Sequence, residues 1–211
     1  FFLILENGIK DFAKAFKTME PIADYLTVNI SCPNTIGGQP FIEPQNLAAL
    51  FLTLDKIPTV KPIFIKFSPD LVREQLDLLL EVARYHRIHG IICANLTKKR
   101  ENKNIIETTV PAVGGISGKV VQNLADEVLA YIYKKEGKRF TLIGCGGIFT
   151  ATDAYKKIRL GASLLQLITG MIFKGPQVIS EINRGLVKLI ARDGYKNISE
   201  AVGADVLAQK I

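Results

Sequence analysis

The sequence has few of the residues from which disulfide frameworks and metal sites are built. Its 211 residues include three cysteines and two histidines. Cys32, Cys93 and Cys145 lie far apart without metal-ligand spacing, and their small, odd number favours a reducing compartment. The sequence therefore predicts neither a disulfide scaffold nor a metal site. His86 and His89, close to the end of a predicted helix, are interpreted as structural.

Long apolar runs are also missing. No run is long enough to cross a bilayer, and residues 1–5 lack the basic flank and the cleavage site of a signal peptide. The chain does not begin with Met, so we expect its natural beginning to lie upstream. A hydrophobic content of 48% and a charged content of 22% are typical of a soluble globular domain. Because no linker interrupts the chain, residues 1–211 are predicted to form one domain.

The net charge of +7 could attract nucleic acid or anionic lipid. The basic residues, however, are mostly scattered through helical patterns, and their clusters at 98–100 and 134–135 are short. We therefore expect a solvated basic surface and no nucleic-acid partner. A small anionic substrate fits this charge as well.

Apolar strands alternate with amphipathic helices along the chain. The strands are predicted at 25–30, 63–67, 91–94, 140–144 and 163–168. The helices are predicted at 10–19, from 44, from 68, and at 121–133, 153–160 and 176–192. This alternation is typical of parallel βαβ units.

Two parallel architectures compete, an open doubly wound sheet and a (β/α)8 TIM barrel. An open sheet gathers its functional residues at one switch point, whereas a barrel places them at the carboxyl ends of many strands. Polar or glycine signals follow every predicted strand here. The sequence therefore predicts a barrel. Because a complete barrel takes about 250 residues, we expect a partial barrel of about five C-terminal βα units, without the first three strands.

Side chains suited to chemistry stand at these strand ends. The first strand runs into Asn29, Cys32 and Asn34, and Asn95 follows the third strand. Amide groups offer paired donors and acceptors that can read the edge of a planar, imide-like ligand, although a single Asn is more often a loop cap. Cys32 is a candidate base or nucleophile, because a thiol of pKa ~8.5 can be tuned by its site. Cys93 and Cys145 are interpreted as small buried apolar residues.

Glycine loops and one lysine indicate an anionic cofactor. Segments 114–118, 146–147 and 169–170 are suited to phosphate, because glycine lets backbone N–H groups approach the anion. Lys66 ends an apolar strand, where a lysine must snorkel or serve a buried anion. A cation there would stabilise the negative charge of a reduced flavin.

Five motifs recur together in order: Asn-Ile-Ser-Cys-Pro-Asn-Thr, Lys66 before Ser-Pro-Asp-Leu, Gly-Gly-Ile-Ser-Gly-Lys, Ile-Gly-Cys-Gly-Gly-Ile and Gly-Ala-Ser-Leu-Leu-Gln-Leu. From about Asp24 onward the chain thereby resembles the dihydroorotate dehydrogenase family. Residues 161–166 and 173–176 and the tail 198–205 are most similar to the class 2, quinone-linked branch.

The resemblance implies an FMN barrel that oxidises dihydroorotate to orotate in pyrimidine synthesis and passes the electrons to a quinone. It implies that Cys32 removes a C5 proton while the C6 hydride goes to the flavin. It assigns the pyrimidine to Asn29, Asn34 and Asn95. It assigns FMN to Asn29, Lys66, Gly118, Gly147, Ile168 and Thr169. Class 2 membership further implies peripheral contact with the cytoplasmic face of the inner membrane through absent N-terminal helices; otherwise the protein would be cytoplasmic.

The chain departs from the family pattern at several positions. Cys32 stands where class 2 enzymes usually have Ser, and cysteine there is typical of class 1. Leu96 stands where a substrate-contacting Thr or Ser is usual. Ala94, Val120 and Ile168 replace a usual Thr, Pro and Tyr.

Two other hypotheses remain open from the sequence. A tRNA dihydrouridine synthase is also an FMN barrel with a Cys-Pro loop, but it should carry an RNA-binding helical domain, and only a short tail follows the last predicted helix. The other hypothesis is an incomplete barrel without activity, which would leave strand edges unpaired and apolar surface exposed.

Overall fold

The computed structural model describes residues 2–32, 39–137 and 139–208. Its strands are β1 (Leu26–Asn29), β2 (Ile63–Lys66), β3 (Gly90–Cys93), β4 (Thr141–Cys145) and β5 (Leu164–Gln166). Its α-helices are α1 (Phe2–Met19), α2 (Pro44–Leu54), α3 (Arg73–Arg84), α4 (Gln122–Glu136), α5 (Ala151–Arg159), α6 (Thr169–Lys174), α7 (Val178–Arg192), α8 (Ile198–Ala201) and α9 (Ala204–Ala208). Short 3₁₀ helices cover Pro40–Ile42 and Gly118–Val121.

The five strands form one parallel sheet in the order β1-β2-β3-β4-β5. Each strand pairs with the next along the chain, as at Asn29 with Lys66 and Lys66 with Ile92. A doubly wound sheet would reverse its order at a switch point, and this sheet does not. The order therefore confirms the prediction of consecutive barrel units.

The sheet is strongly curved. Four strand spacings of about 4.8 Å would hold the first and last strands of a flat sheet ~19 Å apart. Yet the amide of Gln166, at the end of β5, donates to the hydroxyl of Tyr25, just before β1, over 3.3 Å. Tyr25 also packs edge-on against Phe64 of β2. The sheet thus curls around its inner face, as part of a barrel wall does.

The two faces of the sheet have different roles. The outer face packs against the helices in the main core, which includes Val28, Ile65 and Cys93. The inner face carries a small apolar cluster of Phe64, Ile92 and Ile143. Above this cluster the inner positions become polar, at the carboxyl ends of the strands. A candidate site is therefore placed at that end.

Two helix starts differ from the predicted ones. Helix α1 begins at Phe2 instead of residue 10, because Leu5 and Ile9 extend the apolar stripe that packs on the core. Helix α3 begins at Arg73 instead of residue 68. The hydroxyl of Ser68 accepts a hydrogen bond from the N–H of Asp70, so this segment forms a turn. Within the described ranges, no helix is both long and apolar enough to cross a membrane.

The segment between β3 and α4 is anchored at both ends. Thr97 and Ile116 exchange backbone hydrogen bonds of 2.8 and 2.9 Å. The carboxylate of Asp70 accepts from the Thr97 hydroxyl and from the N–H of Lys98. Arg100 donates to the carbonyl oxygens of residues 98, 111 and 114. This excursion therefore returns the chain to the strand ends at residues 116–118.

Candidate functional site

A cavity lies at the carboxyl ends of β2 to β5. Its wall comes from five parts of the chain: Lys66, the segment 94–96, residues 117, 118 and 121, and the segments 145–148 and 167–170. The predicted cofactor residues Lys66, Gly118, Gly147, Ile168 and Thr169 all belong to this wall, and so does Asn95. The residues singled out at the ends of β2 to β5 thus meet at one place, whereas Asn29 and Cys32, at and after the end of β1, are not part of this wall.

Lys66 supplies the positive charge of this cavity. It ends β2 and lies between Asn29 of β1 and Ile92 of β3. Its side chain is half-buried. Among the residues that the structure describes, its ammonium makes no ion pair or hydrogen bond. Because a half-buried cation is stabilised by a nearby anion, this environment suits a ligand that carries or gains negative charge.

Two glycines shape the opposite wall. Gly118 and Gly147 have φ angles of +78° and +73°, which L side chains rarely adopt. A Cβ atom on Gly147 would lie 2.4 Å from Cβ of Gln122, and one on Gly118 would lie 3.2 Å from Cγ2 of Thr169. The bare backbone at both positions leaves room for a phosphate group beside its N–H groups.

The third wall is a short helix that the sequence did not predict. The sequence predicts that residues 169–170 suit a phosphate but assigns no helix there, and in the structure Thr169 opens α6. Gly170 permits this helix because a Cβ atom there would lie 2.2 Å from the carbonyl oxygen of Ile148. The Thr169 hydroxyl donates to Oγ of Ser117 over 3.0 Å. The helix start is thus joined to the Gly118 segment.

Asp153 at the start of α5 ties the two glycine segments together. Its Oδ1 accepts from Nζ of Lys119 (2.6 Å) and Nε2 of Gln122 (2.8 Å). Its Oδ2 accepts from the N–H groups of Phe149 and Thr150, both at 3.0 Å. Burial alone would raise the pKa of Asp153, but the hydrogen bonds from Lys119, Gln122 and Phe149 outweigh burial and lower the pKa to about 2. Asp153 is therefore ionised in any neutral buffer.

A buried serine joins the two described asparagines of the candidate substrate side. Oδ1 of Asn29 accepts from the N–H of Ser31 (3.2 Å) and from its hydroxyl (2.7 Å). Nδ2 of Asn95 donates to the carbonyl oxygen of Ser31 (3.2 Å) and to its hydroxyl (2.9 Å). Ser31 was not predicted as a site residue. In the sequence, only its position between the site candidates Asn29 and Cys32 indicates a role for Ser31 in the site.

The remaining substrate candidates lie next to this network. Cys32 follows Ser31 directly and is half-buried. Asn34 lies outside the described residues, in the segment 33–38. Leu96 lines the cavity and packs against Gly115, where a Cβ atom would come within 2.0 Å of its Cδ1. The wall is thus apolar at residue 96.

The other cysteines differ from each other. Cys93 is buried in the main core, and burial raises the pKa of its thiol to about 12 although the Lys157 ammonium lowers it. This agrees with the prediction of a small buried apolar residue. Cys145 is instead half-buried and lines the cavity, because β4 turns it to the inner face. The prediction that Cys145 is a small buried apolar residue is therefore corrected: it packs on the inner apolar cluster but is only half-buried.

Both histidines lie away from the cavity wall. Nδ1 of His86 lies 2.6 Å from a carboxylate oxygen of Asp55, and Nδ1 of His89 accepts from the N–H of Ile63 over 3.1 Å. The sequence did not reveal these partners. Both partners support the structural interpretation of the histidines.

Comparison with known proteins gives one family. The family model described as dihydroorotate dehydrogenase matches residues 1–190. A protein of Crocosphaera subtropica named dihydroorotate dehydrogenase (quinone) is 43% identical over 208 residues, which are 95% of this chain and 55% of that protein. A protein of the same name from Synechocystis sp. is 39% identical and is matched over 97% of this chain and 56% of its own length. The chain thus spans little more than half the length of these relatives.

Solved structures give the same result. The ligand-free enzyme of Eimeria tenella, described as DHODH, superimposes with a TM-score of 0.87 at 28% identity. The match covers 93% of this chain and 60% of that one. The Eimeria enzyme in complex with ferulenol gives the same TM-score at 27% identity, over 93% and 58% of the two chains.

Proposed function

Because the chain belongs to the dihydroorotate dehydrogenase family, we propose that the complete protein oxidises dihydroorotate to orotate in pyrimidine biosynthesis. One observation carries this proposal. A single cavity gathers Lys66, which has no anionic partner among the described residues, with Asn95 and with the two positive-φ glycines Gly118 and Gly147. The family match does not favour the tRNA dihydrouridine synthase alternative.

The family is flavin-dependent, and we propose FMN as its flavin here. The backbones of Gly118, Gly147, Ile168 and Thr169 would hold the phosphate. The Lys66 ammonium would lie by the ring system, with Asn29 on the neighbouring strand. When bound, the flavin supplies a hydride acceptor. Lys66 would offset the negative charge that such chemistry leaves on the ring.

We assign the removal of the substrate's C5 proton to Cys32. Oxidation of dihydroorotate removes a hydride from C6 and a proton from C5, so a base must stand beside the substrate. Cys32 follows the Asn29–Ser31 network, and its thiolate would accept the C5 proton. Asn29, Asn34 and Asn95 would hold the pyrimidine.

The proposed electron acceptor is a quinone. Relatives from three bacterial genera carry quinone in their names, which supports this choice. Quinones are lipid-soluble, so the complete protein would work at a membrane surface. The acceptor is tested by comparing ubiquinone, fumarate and NAD at matched concentrations. Faster turnover with fumarate or NAD would contradict it, and Cys32, a cysteine typical of class 1, makes this comparison informative.

The activity itself is tested on a polypeptide extended to the length of its relatives. The extended protein, purified with its flavin, should form orotate from dihydroorotate when ubiquinone is present. A preparation that retains FMN and forms no orotate with any acceptor would contradict the proposal and support the inactive-barrel alternative. Reduction of uridine in tRNA by the same preparation would instead support the tRNA alternative.

A further inference from the structure

The two described asparagines of the site are held with opposite polarity. A backbone N–H can only donate, so the Asn29 atom that faces the N–H of Ser31 at 3.2 Å must be its oxygen. A backbone carbonyl can only accept, so the Asn95 atom that faces the carbonyl of Ser31 at 3.2 Å must be its nitrogen. These two long contacts therefore identify which amide atom each asparagine turns toward Ser31.

The hydroxyl of Ser31 completes this arrangement. It donates to Oδ1 of Asn29 over 2.7 Å and accepts from Nδ2 of Asn95 over 2.9 Å, so one hydroxyl uses its proton and a lone pair to join the two amides. Ser31 is completely buried, and a buried hydrogen bond of this kind is not exchanged easily for one to water. Asn29 is exposed and Asn95 is half-buried, so their remaining groups are accessible.

The remaining groups are an amide N–H donor on Asn29 and a carbonyl acceptor on Asn95. A ligand edge that matches them carries a carbonyl oxygen beside a ring N–H, which is the edge of a cyclic amide or imide. We propose that Ser31 is a positioning residue that sets these two amides in opposite polarity, and thereby selects ring ligands with adjacent carbonyl and N–H groups. This inference rests on the proposed function for the identity of the ligand.

The test uses Ser31→Ala in the extended, flavin-loaded protein, with Ser68→Ala as the matched control. Ser68 is also a buried serine just after a strand, and its hydroxyl accepts from the N–H of Asp70. Dissociation constants are measured for orotate and for orotates methylated at either ring nitrogen. Methylation removes the N–H that Asn95 would bind, so the wild-type protein should prefer orotate.

Ser31→Ala should weaken orotate binding roughly tenfold, because the shorter pair of hydrogen bonds to the amides is lost. Binding of the methylated ligand that lacks the recognised N–H should change little, so the preference for orotate should shrink by a similar factor. Ser68→Ala should leave the preference for orotate unchanged, even if it lowers the unfolding midpoint as much as Ser31→Ala does. An unchanged preference in Ser31→Ala would overturn the inference, because a merely structural serine would give that result.

A second readout separates this inference from the proposed function. The side-chain amide resonances of Asn29 and Asn95, followed by NMR without ligand, should shift in Ser31→Ala and stay in place in Ser68→Ala. If the wild-type protein does not bind orotate, the proposed function fails, while the amide resonances still decide whether Ser31 bridges the asparagines. If orotate binds and the resonances do not move in Ser31→Ala, the Ser31 inference alone fails.

Discussion

At the scale of single residues, Lys66 is the side chain whose environment is best suited to an anionic ligand. Its ammonium lines the cavity and has no anionic partner in the described part of the chain. We predict that Lys66→Met weakens FMN binding roughly tenfold or more in the extended protein, because an attraction worth ~1–3 kcal/mol is lost. Fluorescence titration of free FMN measures this change.

The matched control for this prediction is Lys98→Met, which removes an exposed charge in the segment between β3 and α4. It should leave FMN affinity within about twofold, because exposed charges are screened by solvent. Equal losses in the two variants would show that net charge, and not the position of Lys66, governs binding.

Several site residues could be predicted because parallel strands end at one edge of a sheet. Lys66, Asn95 and Gly147 each follow or end a strand, and the sheet order brings them together. Ser31 and Cys145 could not be predicted in the same way. Their roles depend on which backbone groups a turn presents and on which face a strand end adopts, and neither is visible in residue types alone.

At the scale of secondary-structure elements, Asp153 fastens the start of α5 to both glycine segments. Burial opposes its ionisation, and hydrogen bonds from Lys119, Gln122 and Phe149 outweigh burial, so its pKa falls to about 2 in the folded protein. A lowered pKa gives stability that is present above the unfolded value of ~3.9 and is lost as the pH falls toward 2. We expect this contribution to be on the order of 1 kcal/mol, since solvent screens part of it.

Urea unfolding at pH 7 and at about pH 3 checks this prediction. The loss of stability between the two pH values should be smaller in Asp153→Asn than in the wild type, because the amide has no proton to take up. The variant should also bind FMN less tightly, since Lys119 and the N–H of Phe149 lose a charged acceptor. Identical pH dependence in both proteins would contradict the role assigned to this carboxylate.

Helices α4 and α5 share a buried ion pair. Nζ of Lys157 is fully buried and lies 2.6 Å from Oδ1 of Asp126, and the Lys156 ammonium lies 2.8 Å from Oδ2. We predict that Asp126→Asn lowers the free energy of unfolding by ~3–5 kcal/mol, because Lys157 is left charged without its partner in the core. Chemical denaturation measures the change.

A double variant and a surface control sharpen this prediction. Adding Lys157→Met to Asp126→Asn should recover much of the lost stability, because the uncompensated charge is removed. Asp77→Asn, which breaks an exposed pair with Lys135, should cost less than ~1 kcal/mol. A small effect of Asp126→Asn alone would contradict the stabilising role assigned to this pair.

Helix boundaries show where sequence patterns stop being sufficient. Periodicity predicts the bounds of α4 and α7 closely. Helix α3 begins later than the predicted residue 68, because the Asp70 carboxylate accepts hydrogen bonds from Thr97 and Lys98 instead of capping a helix. The sequence pattern does not assign helix α6, because its six residues are too few to show a helical periodicity. The close approach of Gly170 to the Ile148 carbonyl is a tertiary contact, and it explains why this helix needs glycine at that position.

At the scale of the whole molecule, the sheet is a curved wall with β1 and β5 at its ends. The order of units could be predicted from the alternation of strands and helices, whereas the degree of curvature depends on contacts such as Tyr25 with Gln166. The relatives are nearly twice as long as the matched region. The wall described here therefore provides only part of the surface that a barrel offers to a flavin.

We predict that the 211-residue chain retains FMN weakly or not at all, while the polypeptide extended to the length of its relatives retains it through gel filtration. The physical reason is that binding energy follows from buried contacts, and part of the pocket would come from the extension. The visible absorbance of the two purified proteins measures this difference. Equal retention would mean that the five-stranded wall is sufficient.

We propose that dihydroorotate is oxidised in the cavity beside Asn95, with Cys32 taking the proton. The most direct test is anaerobic mixing of dihydroorotate with flavin-loaded extended protein, in the wild type and in Cys32→Ala and Cys32→Ser. The wild type should lose its flavin absorbance rapidly, Cys32→Ala should react at least ~100-fold more slowly, and Cys32→Ser should retain an intermediate rate. Reduction of Cys32→Ala at the wild-type rate, or no reduction of the wild type at all, would contradict the account.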